Sequence, residues 1–331
     1  MLVEQSIKSN SEFKHSIISL EYNKKRDNVD NIKKYCMTVE VSTIEEFNKL
    51  IEDIDIVQLE WWNNRTIIKY LSSINTPIRL ITCCHNNGIY QDNIKDSGKL
   101  PATISKQLIL ASDIFTFTSE CSFDAEVVKN VLKEHPEYYD KLWRVNSCGE
   151  YDDLPGPESK DSFTKFSSND ISVGYFGTIN FAKLHPQYID FLKEIDIHRF
   201  KIKMIGECSD VIRDQLNKQC EALGKPGILE FTGYVSESKL VSELSSINVL
   251  AYILNPRHYD TSELTLLESM SMGTVPIVLN NPAEKCIVKN RETGLIVKSP
   301  KEFGEAIKLL RDPDYRQKLG INASLQQTQN K

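Results

Sequence analysis

The chain has 331 residues, enough for two domains with separate cores at roughly 150 residues each. With 40% hydrophobic and 26% charged residues and a formal net charge of -6, the composition excludes long disorder and argues against a broad basic face for nucleic acid. No apolar run reaches the roughly 18 residues that span a bilayer, and the opening MLVEQSIKSNSEFKHS lacks the basic start and apolar stretch of an export signal. A cytoplasmic location is therefore expected. The eight cysteines are scattered, with no C-x-x-C pair and no histidines at zinc-ligand spacing, so reduced thiols and no metal site are expected.

In chain order, the opening reads as a helix leading into strand 16–22, without the initial strand and glycine-rich turn of a doubly wound domain. Helix 45–53, strand 55–62, helix 65–73, strand 77–84, strand 114–119 and helix 123–134 follow. The stretch 149–170 is polar, rich in Pro, Ser, Asp and Gly, and reads as a linker. The second half alternates clearly. Strand 171–177, helix 186–195, strand 199–206 and a helix ending at Gly224 lead to strand 228–233, helix 236–244 and strand 247–254. Helix 262–272, strand 275–279, strand 294–297 and helix 301–311 complete it. Continuous apolar strands between helices predict parallel sheets covered on both faces. The domain reading is 1–150, a linker at 151–170, a second domain at 171–312, and a short C-terminal helix or tail at 313–331.

Ligands of parallel sheets sit beyond the strands' carboxyl ends, and several such ends carry polar residues. After strand 171–177, a loop from Gly177 runs through Lys183 to a helix expected to open at Pro186. The helix amides and the lysine suit an anion, although Lys183 is equally readable as a solvated loop residue. Helix 262–272 is apolar or small nearly all round and is expected to be buried. Glu268 in its middle then needs partners, and ribose hydroxyls would serve, as would a contact within the core. The amides around Ser262, Glu263 and Leu264 could hold a diphosphate, and Asp260, eight positions before Glu268, could face the sugar. Asn255 to Tyr259 form a polar and aromatic cluster that fits a sugar pocket or an ordinary loop. In the first half, His85 ends strand 77–84 and is a candidate contact for the reacting sugar, although a lone histidine is more often structural. Trp61 and Trp62 could stack on a sugar but read equally as packing.

These residues resemble the large retaining group of GT-B glycosyltransferases known as glycosyltransferases group one. The stretch Leu266 to Pro276 is similar to the family's helix with its second glutamate and the strand entry that follows. Gly177 to Lys183 resembles the Gly-Arg-x-x-x-x-Lys phosphate loop, Phe231 to Val235 the turn near the nucleobase, and Thr293 to Val297 a Gly-Leu-Leu-Val close. The resemblance covers about 171–312, and the first half matches an acceptor domain in outline. It implies two Rossmann-like doubly wound parallel-sheet domains facing each other across a cleft, the N-terminal one lacking its first strand. It implies transfer of a sugar from a nucleotide-sugar to a saccharide or lipid-linked acceptor, with retained configuration, in cell-surface polysaccharide or glycan synthesis.

The implied site residues are Lys183, Asp260 and His85 for catalysis. For the donor they are Gly177, Thr178, Gly233, Tyr234, Val235, Ser262, Glu263, Leu264 and Glu268. Neither metal nor other cofactor is implied. Lipid-linked acceptors would call for peripheral contact at the inner membrane face, although no strongly basic amphipathic helix is there to make it. Four departures stand out: Asp260 replaces the family's first glutamate, Thr178 replaces the phosphate-loop arginine, the N-terminal strand and its glycine-rich loop are missing, and the last helix is short. The alternatives are a GT-B nucleotide-sugar epimerase and a catalytically silent nucleotide-sugar binding protein. A nicotinamide dehydrogenase is disfavoured, since no G-x-G-x-x-G follows a strand at either domain's start.

Overall fold

The structure is a computed structural model, and it describes residues 12–20, 29–30, 32–60, 62, 65–85, 89, 102–145, 171–193, 195, 201–256 and 263–329. The expected opening helix and the linker lie outside the described residues. The chain divides into two compact units. The first comprises Met1–Cys84, Gly88–Thr116 and Glu126–Trp143, and the second His85–Asn87, Phe117–Ala125 and Arg144–Lys331.

The first half contributes strands β1 (Ser16–Ser19), β2 (Met37–Glu40), β3 (Ile56–Leu59), β4 (Arg79–Cys84), β5 (Ile114–Phe117) and β6 (Leu142–Arg144). Its helices are α1 (Ile44–Ile51), α2 (Arg65–Leu71), α3 (Ala102–Ala111), α4 (Glu120–Phe123) and α5 (Glu126–Glu134). β1 and β2 pair in parallel, and β3-β4-β5-β6 form a four-stranded sheet in which β3 and β4 are parallel. A capping box starts α1: Thr43 accepts from the Glu46 amide while Glu46 accepts from the Thr43 amide. That places Phe47 and Ile51 against Val41 and Tyr70 in a small core. Trp62 is 2% exposed, so it packs in the interior and offers no platform to a sugar.

The second half folds into β7 (Val173–Phe176), α6 (Tyr188–Leu192), β8 (Ile202–Ile205), α7 (Asp210–Ala222), β9 (Leu229–Gly233), α8 (Glu237–Ser245) and β10 (Val249–Tyr252). Then come α9 (Leu264–Ser271), β11 (Val275–Leu279), α10 (Pro282–Ile287), β12 (Leu295–Val297), α11 (Pro300–Leu309) and α12 (Pro313–Gln329). One sheet runs β12-β11-β10-β7-β8-β9, with every pair of neighbouring strands parallel. Strand order therefore reverses between β7 and β10, which makes their carboxyl ends the topological switch point. β10 and β11 are buried at every position, as their unbroken apolar runs require in a sheet covered on both faces. α7 is closed by Ser209, which accepts from the Ile212 amide, and by Gly224 at φ +68°. There Gly224 and Lys225 donate to the carbonyls of Glu221 and Cys220 in a Schellman pattern.

Two expectations change. The helix placed at 186–195 is a five-residue segment, Tyr188–Leu192, preceded by a turn in which the Gln187 amide donates to Nδ1 of His185. It offers no anion-binding end. The last helix, expected to be short, has 17 residues and is the longest among the described residues. It packs on α9, where Ser324 Oγ donates to the Ser271 carbonyl at 2.7 Å. Buried Arg316 donates to the Leu310 carbonyl at the end of α11, 2.6 Å away. Among the described residues no helix is long and apolar enough to cross a membrane.

The turns after β7 and β8 touch backbone to backbone. Gly177 and Gly206 stand at φ +130° and +138°, and a Cβ added to Gly206 would lie 2.0 Å from the Gly177 carbonyl oxygen. The Gly206→Ala substitution is expected to destabilise the second unit by about 2–4 kcal/mol, combining a backbone strain with a clash that moves the Gly177 turn. Urea unfolding of the variant against the parent checks this.

Candidate functional site

The switch point is built from three segments of the second unit. The loop after β7 is pinned on both sides. Gly177 donates to Ile205 and Ile179 to Glu207, while Asn255 donates from its backbone to the Lys183 carbonyl at 2.7 Å and from its side chain to Phe181 at 2.9 Å. Asn180 accepts from the Lys183 amide at 2.9 Å. With its backbone fixed in this way, Lys183 sends its side chain back toward the turn: a Cβ on Gly177 would stand 3.8 Å from Lys183 Cε.

Below the lysine lies a buried polar group. Glu263 is 1% exposed, and its Oε2 lies 3.2 Å from Lys183 Nζ, itself 17% exposed. The same Oε2 accepts a hydrogen bond from the hydroxyl of fully buried Tyr252. The Tyr252 ring lies under the ammonium, 5.6 Å from Nζ, and stacks on Tyr175 with centroids 5.8 Å apart. Tyr175 in turn donates to the Thr178 carbonyl at 3.1 Å, which ties the glycine turn to the same cluster. Burial, and then the charge of Glu263, push the hydroxyls of Tyr175 and Tyr252 well above the ordinary tyrosine range, so both stay protonated donors.

Glu263 is thus the interior acid, whereas the sequence assigned that place to Glu268. Glu268 is half-buried, and Leu264 is 43% exposed. The physical reason is the helix period. Leu266, Ser269, Met270 and Ser271 are the buried residues of α9, whereas Thr265 and Glu268, three positions apart, share a half-buried face. Thr265 Oγ1 lies 3.6 Å from a Cβ placed on Gly177, which puts that face beside the loop after β7. Glu263 is the residue that precedes the helix, and its side chain makes no capping bond. Its carbonyl accepts from the Leu266 and Leu267 amides instead.

At the end of β9, Gly233 takes φ +76° and accepts from the Gly206 amide at 3.1 Å, so this turn adjoins the two glycine turns described above. Tyr234 is 79% exposed and Val235 packs partly against the core. Thr178 is exposed. His85 directly follows β4 and is half-buried. Asp260, Ser262, Arg257, His258, Tyr259 and Trp61 lie outside the described residues. Lys183, Gly177, Glu263 and the α9 face are therefore brought together, with Gly233 next to the same turns. The roles of Tyr252 and Tyr175 escaped sequence reading. The available signal was a tyrosine inside an apolar central strand, whose hydroxyl needs a buried partner.

This arrangement fits what comparison with other proteins finds. The family model described as Glycosyl transferases group 1 matches residues 158–326, just over half of the chain. Among solved structures, HepE of Anabaena in complex with UDP and glucose superposes with a TM-score of 0.75 at 10% identity, covering 99% of this chain and 90% of that one. Sucrose-phosphate synthase of Thermosynechococcus elongatus gives 0.74 at 13% identity, with 99% and 87% covered. A glycosyltransferase of Rickettsia africae ESF-5 gives 0.67 at 17% identity, with 99% and 88% covered. At these identities the likeness speaks for the fold, which is GT-B. No curated protein sequence matches significantly. By the extent of the family match, the chain belongs to the glycosyl transferases group 1 family.

Proposed function

We propose that this glycosyltransferase moves a hexosyl residue from a nucleoside-diphosphate sugar to a saccharide or lipid-linked saccharide, with retention of configuration and without a metal. We assign it to the building of a cell-surface polysaccharide or glycan, with the acceptor met at the inner membrane face. The observation that carries the reading is Lys183 Nζ, held at the switch point beside the Gly177 turn. In this reading the ammonium and the amides at 262–264 offset charge growing on the departing diphosphate. Glu268 accepts from the ribose hydroxyls, and Gly233, Tyr234 and Val235 border the base. Asp260 and His85 contact the transferred sugar. The acceptor oxygen bonds to the anomeric carbon on the face from which the diphosphate oxygen leaves, and the acceptor proton passes to that leaving oxygen. UDP, named with HepE, is the natural first nucleotide to try.

The Lys183→Ala substitution is expected to lower turnover about 100-fold at temperatures where the variant is folded, the scale for removing one positioned charge donor. Steady-state assays with donor and acceptor check it, and turnover equal to the parent's would refute the role. Glu268→Gln is expected to weaken nucleotide binding about 10-fold or more, since a hydrogen bond to a charged group is lost. Calorimetry is the measurement, and unchanged affinity counts against the assignment. Dependence on added acceptor separates a transferase from an epimerase, which needs none.

A further inference from the structure

A carboxylate buried to 1% next to the lysine assigned to the diphosphate poses a specific question. It would be expected to weaken anion binding, because it cancels the ammonium's charge over a distance of 3.2 Å. The geometry argues for the opposite outcome. An ammonium has three N–H donors, and the described contacts of Lys183 Nζ give one of them to Glu263. The rest stay available on the 17% of the side chain that remains exposed. A lysine stem is otherwise mobile and loses rotamer freedom when a ligand immobilises it. Here that freedom is removed in advance. Glu263 holds the ammonium, Tyr252 holds Glu263, and the Tyr252 ring stacks on Tyr175, whose hydroxyl is bonded to the loop at Thr178.

We propose that Glu263 is a positioning residue for the diphosphate of the donor, acting through Lys183: it pre-orients the ammonium toward the Gly177 turn and is itself fixed by Tyr252. This rests on the donor-site reading above, which uses the Glu263 amide, and gives the Glu263 side chain a role of its own. On this proposal the Glu263 side chain, 1% exposed and bonded to Lys183 and Tyr252, acts on the diphosphate through the lysine, so its effect must vanish when Lys183 is gone.

The test compares a nucleoside diphosphate with its parent nucleoside by calorimetry. The probe is whichever of UDP, GDP and ADP binds the unaltered chain most tightly, against uridine, guanosine or adenosine to match. Glu263→Ala is expected to weaken the diphosphate about 10-fold while leaving the nucleoside unchanged, since a prepositioned charge contact is lost. In a Lys183→Ala background, adding Glu263→Ala is expected to cost no further diphosphate affinity. Glu263→Gln keeps an acceptor for the lysine and is expected to fall between parent and alanine variant, and it serves if the alanine variant does not fold. Equal losses for diphosphate and nucleoside would reduce Glu263 to a structural residue and overturn the proposal. So would unchanged affinity, additive losses in the double variant, or tighter diphosphate binding. If Lys183→Ala itself leaves diphosphate affinity intact, or none of the three nucleotides binds, the donor-site reading falls as well.

Discussion

One buried ion pair organises the candidate site. A carboxylate withdrawn from water needs a cation and hydrogen-bond donors, and Glu263 finds both in Lys183 and Tyr252. Removing one member of such a pair costs about 3–5 kcal/mol, because the remaining charge is left uncompensated. The pair therefore constrains everything attached to it: the loop carrying Lys183, the end of β10 carrying Tyr252, and the start of α9 carrying Glu263. All three meet where the strand order of the sheet reverses, and a parallel sheet leaves room for a ligand there.

The glycines serve the same constraint. Gly177 and Gly206 take backbone conformations unfavourable for other residues, and their turns pack carbonyl against Cα. This close approach brings the loops after β7 and β8 together, with the β9 turn bonded alongside through Gly233. Anchoring of the Lys183 loop to Asn255 then sets the height of the lysine above the sheet. The long C-terminal helix supports α9 from its other side, where the Ser324 hydroxyl satisfies a carbonyl at the end of α9.

Much of this organisation was legible in the sequence, for definable reasons. β10 and β11 are unbroken apolar runs, α7 stops at Gly224, and the Gly177–Lys183 loop follows a buried strand. The segments that escaped have weaker signals. β2 is four residues long and never fully buried, and α10 is a six-residue helix between two strands. In α3 a polar residue, Ser105, shares the buried side with Leu108 and Ile109. The destination of Glu263 could not be read at all. It stands at a helix start, where a carboxylate is ordinarily exposed and capping, and its lysine is 80 positions away in the chain. The apolar and small residues of α9 suggested burial all round, Glu268 included, whereas burial within the helix is confined to Leu266, Ser269, Met270 and Ser271.

On the function proposed above, the second unit grips a nucleoside diphosphate between the Gly177 turn and the start of α9. A crystal structure of the chain grown with a saturating nucleoside diphosphate decides whether it does. The expected result is a phosphate oxygen within about 3 Å of Lys183 Nζ, with the Glu263 contact retained and the ribose hydroxyls on Glu268. A diphosphate seated away from the Gly177 turn, or a ribose that makes no contact with Glu268, would contradict it.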